Sequence, residues 1–387
     1  MKDPRIDKMI VDMSLYQCLE CGKCTASCPR RLSGKEYSPR LLAHKVIAER
    51  EDEAYIENAV WECLTCGMCR ERCPSGVDFN RFILEMRTLL AETKGLKGYR
   101  AHDGALHSWM RMMTSTGLKQ NRLDWVHNTL KIAPPGSGQV AFFAGCAPYF
   151  DVFFSGIEVK TLAIVKDSIR LLNFLDIRPV LLPNERCCGH DLLWSGDVEN
   201  FEALCLLNYE TFKEAGIREI IVSCPECFQI LSEHMPRVIP GFDIKITLLI
   251  DLLQRELRKG GITFRPLKRK VTFQDPCRLS RLENRPELPR KLLNRLNPVA
   301  YQEMQDHGSA ALCCGNCAWT GCDAYSKKLQ VLRLKQARAT GSDLLITSCP
   351  KCQIHLKCAM EDPMQGEQIK IEMMDLTGAL AKTLVWE

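Results

Sequence analysis

Two cysteine phrases near the start of the chain carry its plainest chemistry. Cys18-x-x-Cys21-x-x-Cys24-x-x-x-Cys28-Pro29 is written again as Cys63-x-x-Cys66-x-x-Cys69-x-x-x-Cys73-Pro74. Three thiolates set two residues apart can wrap one face of a [4Fe–4S] cube, and the fourth, followed by proline, is carried to the neighbouring cluster. That rule assigns Cys18, Cys21, Cys24 and Cys73 to one cubane, and Cys63, Cys66, Cys69 and Cys28 to the other. Zinc sites pair CxxC units rather than use an eight-cysteine run of this kind. The chemistry expected is the movement of single electrons.

Ten further cysteines fall into two matching groups. Cys146, the adjacent pair Cys187-Cys188 before Gly189, and Cys224-Pro225-Glu226-Cys227 form the first; Cys277, Cys313-Cys314-Gly315 and Cys349-Pro350-Lys351-Cys352 form the second. Two adjacent cysteines cannot easily both ligate the metal of a closed tetrahedral site, yet they can serve different irons of a larger cluster. Gly189 and Gly315 relieve backbone crowding beside the pairs where the chain approaches cluster sulfide. With Pro225 and Pro350 they are the expected cofactor-binding positions. Five thiolates per group exceed what a cubane uses, so the residues point either to an unusual cluster or to one cysteine held free.

These cysteines need elements to position them. Ser38-Pro39 opens a stretch of alternating apolar and charged residues through Val60-Trp61, which reads as a helix capped by serine with proline in its first turn. After Cys73, Phe79, Phe82, Ile83, Met86, Leu89 and Leu90 recur at near-helical spacing and predict a second helix. Residues 1–91 are therefore expected to form an all-α ferredoxin domain. Residues 92–138 read as a helical connector ending in a flexible Pro134-Pro135-Gly136-Ser137-Gly138 break. Its Trp109, Met110, Met112 and Met113 are expected to pack against the modules.

Beyond the break the chain repeats itself. Residues 139–146, a strand running into Cys146, match 270–277, and residues 220–227 match 345–352. Helical segments at 161–175 and 325–340 lie between the apolar strands. Two copies of one module are expected, over 139–262 and 263–387, each a small parallel α/β sheet, with the copies facing across a pseudo-twofold cleft. Cysteines just past the strands then sit at the carboxyl edge of a sheet, where loops converge on ligands.

A chain of 387 residues, 46% of them hydrophobic, can bury two or three cores. Its 52 basic and 47 acidic residues leave only +5, with no long basic run, so nucleic acid is not an expected partner. No apolar stretch reaches the roughly 18 residues of a membrane helix, and the opening residues lack the apolar core of a signal peptide. A cytoplasmic protein is expected, placed at the inner face of a membrane only through a partner. In that compartment 22 cysteines mean metal thiolates rather than disulfides. With no Walker loop and no GxGxxG fingerprint, any flavin belongs to a partner.

The motifs together resemble the heterodisulfide reductase family, in its fused D-type form: a small ferredoxin followed by tandem CCG domains. The resemblance covers the chain except the connector. It implies that Cys146, Cys187, Cys188, Cys224 and Cys227 hold one noncubane [4Fe–4S] cluster, and Cys277, Cys313, Cys314, Cys349 and Cys352 another, with a disulfide cleaved between them. Cys188 and Cys314 are then the catalytic positions, His190 a candidate proton donor to a thiolate product, and Cys317 a candidate contact to cluster or substrate. Where the family continues from CCG into a glycine-rich turn, this chain has Asn316-Cys317-Ala318-Trp319, so its substrate pocket is expected to differ. Cys205 and Cys358 fall within helical patterns and read as buried small hydrophobes. Cys322 has no assigned role.

Two functions are consistent with the resemblance. In one, the chain is the catalytic component that reduces a heterodisulfide or related thiol-derived substrate with electrons from a flavoprotein, hydrogenase, formate dehydrogenase or membrane cytochrome. In the other, it is a non-catalytic relay between a flavoprotein dehydrogenase and quinone, as in glycolate, glycerol-3-phosphate or lactate oxidation.

Overall fold

A computed structural model describes residues 3–49, 53–95 and 98–385. The N-terminal part is all-helical. Helices Pro4–Asp12 and Phe79–Lys94 pack on each other, burying Ile6, Met9, Phe82, Ile83 and Met86 in one core. The Ser38 hydroxyl accepts the Leu41 N–H at 3.1 Å and Pro39 opens the first turn, as the sequence predicts. The helix does not run on to Trp61, however. Pro39–His44 passes into a wide turn at Lys45–Glu49, which adds a residue per turn and ends the regular phase. A separate helix occupies Glu53–Glu62, and residues 50–52 lie outside the described residues.

The connector is less helical than its composition predicts. Among its described residues past the helix that ends at Lys94, a short turn at Ala101–Gly104 leads into the helix Ala105–Met112, and 114–138 is irregular. Trp109 packs on Tyr149 and Phe153 with ring centroids 5.0 and 5.1 Å apart, and Met110 and Met113 are buried. Met112 faces away, 63% exposed, because only one face of this two-turn helix meets the module.

Each cysteine-rich module is built on a parallel sheet. In the first, β1 (Val140–Phe143), β2 (Glu219–Val222) and β3 (Lys245–Leu248) lie in the order 1-2-3, in register from Val140 opposite Glu219 and Glu219 opposite Lys245. In the second, β4 (Lys270–Gln274), β5 (Ala300–Tyr301), β6 (Leu344–Thr347) and β7 (Glu372–Asp375) lie in the order 5-4-6-7. Val180, bridged to Ala141, occupies in the first sheet the edge that β5 fills in the second. The central strands are buried, which is why Ile220–Val222 of β2 and Leu344–Ile346 of β6 read as apolar runs. Helices Thr161–Phe174 and Ala324–Ala339 fall where the periodicity predicts.

The modules hold each other through exchanged helices. Thr161–Phe174 of the first packs on Leu376–Thr383 of the second, while Leu249–Lys259 of the first packs on Glu287–Arg295 of the second. The start and the end of the second module pair at Phe264 and Leu384. Among the described residues, no helix is long and apolar enough to cross a membrane.

Candidate functional site

Four of the ten later cysteines follow a strand by two or three residues: Cys146 after β1, Cys224 after β2, Cys277 after β4 and Cys349 after β6. Parallel strands share a direction, so all four arrive at carboxyl edges. The adjacent pairs come in on loops, and the sulfurs then meet. In the first group Cys146 Sγ lies 2.9 Å from Cys187 Sγ, Cys188 Sγ lies 3.5 Å from Cys227 Sγ, and Cys224 hydrogen-bonds Cys227. In the second, Cys313 lies beside Cys277 and Cys314, and Cys352 beside Cys314 and Cys349.

None of these is a disulfide: the sulfurs stand farther apart than the roughly 2.05 Å of an S–S bond. Ten sulfurs drawn together and largely removed from water, with mostly each other for company, form a donor set that fits metal–sulfide ligation. Gly189 (φ +81°) and Gly315 (φ +96°) sit in left-handed backbone beside the pairs, where packing also bars a side chain. A Cβ at Gly189 would meet the Phe201 ring at 2.8 Å, and one at Gly315 the Ser326 carbonyl at 2.8 Å. In each module a packed helix lies behind the pair. Pro225 and Pro350 start the helices that carry Cys227 and Cys352.

The two ferredoxin phrases fold alike, each with a left-handed residue (Glu20, φ +49°; Thr65, φ +46°) before its second cysteine. They differ in exposure: Cys21 is exposed, whereas Cys63 and Cys66 are buried. Cys28 sits with the second phrase, where burial and the neighbouring Cys66 and Cys63 push its thiol up to about 12. Cys69 likewise has Cys63, Cys66 and Cys28 around it. Cys24 lies close to Cys18, and Cys73 is half-buried against the ferredoxin core.

The three sulfur groups touch in series. Cys66 of the ferredoxin lies beside Cys313 of the second module, and Cys349 of that module lies beside Cys224 of the first. Buried arginines hold this line together by donating to backbone carbonyls, which offsets the cost of burying their charge. Arg281, four residues past Cys277, donates to the Cys66 carbonyl at 2.7 Å and the Ala311 carbonyl at 2.7 Å. Arg87 donates to the Cys63 carbonyl at 2.6 Å and to the Trp194 carbonyl of the first module at 2.7 Å. Arg278 donates to the Thr65 carbonyl at 2.5 Å, and its guanidinium lies 4.5 Å from the Trp194 ring centroid.

A buried polar layer lies where the modules meet. Lys351, the variable residue of Cys349-Pro-Lys-Cys352, reaches across to Glu226 at 2.5 Å, the variable residue of Cys224-Pro-Glu-Cys227, and to Asp191. His190, Asp191 and Glu226 could by type and spacing hold a metal ion, but the Lys351 ammonium fills that seat. His190 has both ring nitrogens engaged: Nε2 accepts from Arg278 Nε at 3.0 Å, which leaves Nδ1–H to face Asp191 at 2.8 Å. Burial and the Lys351 charge hold its pKa well below the ordinary range. A proton-donor role for the His190 side chain is thus not supported by this geometry.

Cys317 stands outside both five-cysteine groups. Its sulfur lies 2.9 Å from Thr65 Oγ1 and 2.9 Å from Arg278 Nη2, and burial pushes its thiol up to about 12. It begins the turn Cys317-Ala318-Trp319-Thr320, closed by a 3.0 Å bond from Thr320 N to the Cys317 carbonyl, with Ala318 and Trp319 both at φ +53°. Glycine usually fills such positions. The buried Trp319 ring instead stacks on Phe154 at 5.2 Å and meets His355 at 5.2 Å, while Ala101 of the connector donates to its carbonyl at 2.7 Å. Cys205 is fully buried, as predicted, but Cys358 is only half-buried.

Comparison with known proteins agrees with this arrangement. The 4Fe-4S dicluster domain matches residues 13–77, and the CCG cysteine-rich domain matches twice, over 140–232 and 271–357. An uncharacterized iron–sulfur protein of Methanococcus maripaludis is 26% identical over 98% of this chain and 64% of its own length. One component of the dihydromethanophenazine:CoB–CoM heterodisulfide reductase of Methanosarcina barkeri, its D chain, is 28% identical over 67% of this chain and 62% of its own. One component of the fumarate reductase (CoM/CoB) of Methanothermobacter marburgensis, its B chain, is 25% identical over 95% of this chain and 61% of its own. The chain belongs to this heterodisulfide reductase family of ferredoxin–CCG iron–sulfur proteins. It spans a little under two thirds of the length of these curated relatives. It is an electron-transfer iron–sulfur protein, and its cysteines serve [4Fe–4S] chemistry.

The arginines and Lys351 escaped sequence reasoning, since a single buried cation leaves no periodic trace. One signal was available: the variable residues of the two CPxC motifs, Glu226 and Lys351, have opposite charge.

Proposed function

We propose that this chain is a heterodisulfide reductase-like component that passes electrons from two cubane [4Fe–4S] clusters to two noncubane clusters for disulfide and thiol chemistry. The cubanes fall to Cys18, Cys21, Cys24 and Cys73, and to Cys63, Cys66, Cys69 and Cys28. The noncubane clusters fall to the two five-cysteine groups. The observation that carries the reading is the serial contact of Cys66 with Cys313 and of Cys349 with Cys224, which lines three sulfur groups along one path.

When bound, the clusters supply single electrons and Lewis-acidic iron for substrate sulfur. The chain's own residues hold the rest of the site. Glu226 and Lys351 clamp the modules together, and the exchanged helices support a pseudo-twofold arrangement in which the two groups face each other. Cleavage of R–S–S–R′ takes two electrons and two protons to give RSH and R′SH, and two adjoining centres can each take one product sulfur. A flavoprotein dehydrogenase, an electron-bifurcating flavoprotein, a hydrogenase, a formate dehydrogenase or a membrane cytochrome is the fitting donor. The chain itself works in the cytoplasm.

The filled turn at Trp319 favours a second reading, a relay in which no disulfide binds. Anaerobic protein should carry about sixteen irons on the first reading. Oxidised protein given a thiol should develop a new paramagnetic signal that Cys188→Ser or Cys314→Ser removes while the cubanes stay reducible. Wild-type protein that passes electrons between redox partners but never responds to thiol or disulfide is the relay.

A further inference from the structure

The helix Pro350–Met360 carries Cys352 and, three residues on, His355. Residues three apart share a helix face, so the imidazole is delivered to the sulfur group that Cys352 completes. His355 is 3% exposed, and its Nδ1 lies 3.3 Å from Cys314 Sγ. Its Nε2 meets no protein partner, and the Trp319 ring stands against it edge-on, 5.2 Å between centroids at 82°. Trp319 is itself stacked on Phe154 and so braces the imidazole where it is.

A metal-bound cysteine sulfur is a thiolate and only accepts, so toward a loaded site His355 presents Nδ1–H as the donor. The first module has no equivalent. Ile230 stands three residues after Cys227, fully buried and without a side-chain N–H. Two guanidiniums add to the difference, because Arg278 and Arg281 follow Cys277 of the second group by one and four residues and lie close to it. Hydrogen bonds and positive charge at cluster sulfur draw off electron density, favour the reduced form and raise the reduction potential.

We infer that His355 tunes the second five-cysteine site: its Nδ1–H, donated to Cys314, sets the reduction potential there above that of the first site. The inference rests on the reading that both groups hold clusters and not on disulfide cleavage, so it holds equally for a relay. An electron delivered past Cys66 settles first at the second site, and the first site is reduced after it.

Redox titration of the iron-loaded chain, followed by electron paramagnetic resonance, tests this. The signal that Cys313→Ser removes belongs to the second site, and the one that Cys187→Ser removes belongs to the first. In wild-type protein the second-site signal should appear at the higher potential. His355→Leu, with no N–H, should lower its midpoint so that the reduced-to-oxidised ratio at the wild-type midpoint falls about tenfold, which is about 59 mV for one electron. His355→Asn, whose amide N–H can occupy the Nδ1 position, should recover most of that shift, which a loss of packing alone does not allow. The first-site signal and the iron content should not move. Wild-type protein grown on histidine labelled with nitrogen-15 in the ring should show nitrogen hyperfine coupling on the second-site signal, a readout that needs no variant to fold. In protein that holds about sixteen irons, a second-site midpoint at or below the first, an unmoved midpoint in His355→Leu, equal shifts in the Leu and Asn variants, or no ring-nitrogen coupling overturns the inference alone. Protein from which Cys313→Ser removes neither iron nor signal lacks a cluster at that site, and overturns the inference together with the reading it rests on.

Discussion

The two five-cysteine sites share strand order and cysteine pattern but not surroundings. Around the first, Phe150, Ile164 and Ala147 form an apolar wall beside Cys188 and Cys224. Around the second, ferredoxin Cys66 presses on Cys313, and the 317–320 turn plants Trp319 beside His355 of the helix that follows Cys349. What a copy can do is therefore set by the elements packed on it rather than by its own motif. One site adjoins the electron supply; the other adjoins the apolar residues of the first module.

The sharpest way to break that contrast is to remove a cysteine from each. Cys313→Ser and Cys187→Ser should each cost about four of about sixteen irons. Only Cys313→Ser, which cuts the contact to Cys66, should slow the rise of the remaining noncubane signal after rapid mixing with reductant. Equal rates in both variants would mean that the first site does not depend on the second for electrons.

Next in size is the clamp between the sites. Lys351→Met leaves Asp191 and Glu226 buried without their cation, a change worth about 3–5 kcal/mol. Anaerobic chemical denaturation should show it as a lower midpoint. A loss below about 1 kcal/mol would mean that the carboxylates simply take up protons and that the clamp is not what joins the modules.

Trp319→Gly tests whether the turn seals the second site. Loss of the ring costs about 3–5 kcal/mol, and relief of a tryptophan at φ +53° returns about 1–2. Cys317, 3% exposed behind the turn, should then be alkylated by iodoacetamide far faster, read by mass spectrometry. Continued protection of Cys317 would show that the Arg278 contact, not the ring, shields it.

The cysteine spacing made the donors legible, because ligation fixes residue type and interval together. The buried strands and the helices Thr161–Phe174 and Ala324–Ala339 were legible too, since parallel sheets need long apolar runs and their covering helices need a stripe. The wide turn at Lys45–Glu49, the irregular 114–138 segment and the exposed face of Met112 were not. Each depends on a tertiary neighbour rather than on a local pattern. The same holds for Arg87, Arg278 and Arg281, whose partners are carbonyls that any residue offers. Ala318-Trp319 was legible only as a departure; that the backbone keeps a glycine-like turn beneath those side chains is a fact of the fold.

The smallest expected effect contrasts the centre of the module junction with its rim. At the centre Glu226 meets Lys351; at the rim Glu283 of the second module faces Glu233 of the first, and its Oε1 has no partner. Burial, and then Glu233, pushes the Glu283 carboxyl up from 4.5 to about 7. A carboxyl raised on folding favours the folded chain while protonated. Its contribution is therefore full below about pH 4.5 and is lost as pH rises through 7. Because Glu283 is partly exposed, solvent screening reduces the effect to about 1 kcal/mol. Glu283→Gln should stabilise the protein by about that much at pH 8 and leave it near wild type at pH 5, compared by anaerobic denaturation at the two pH values. A gain of equal size at both would trace the effect to packing and remove the like-charge rim from the contrast.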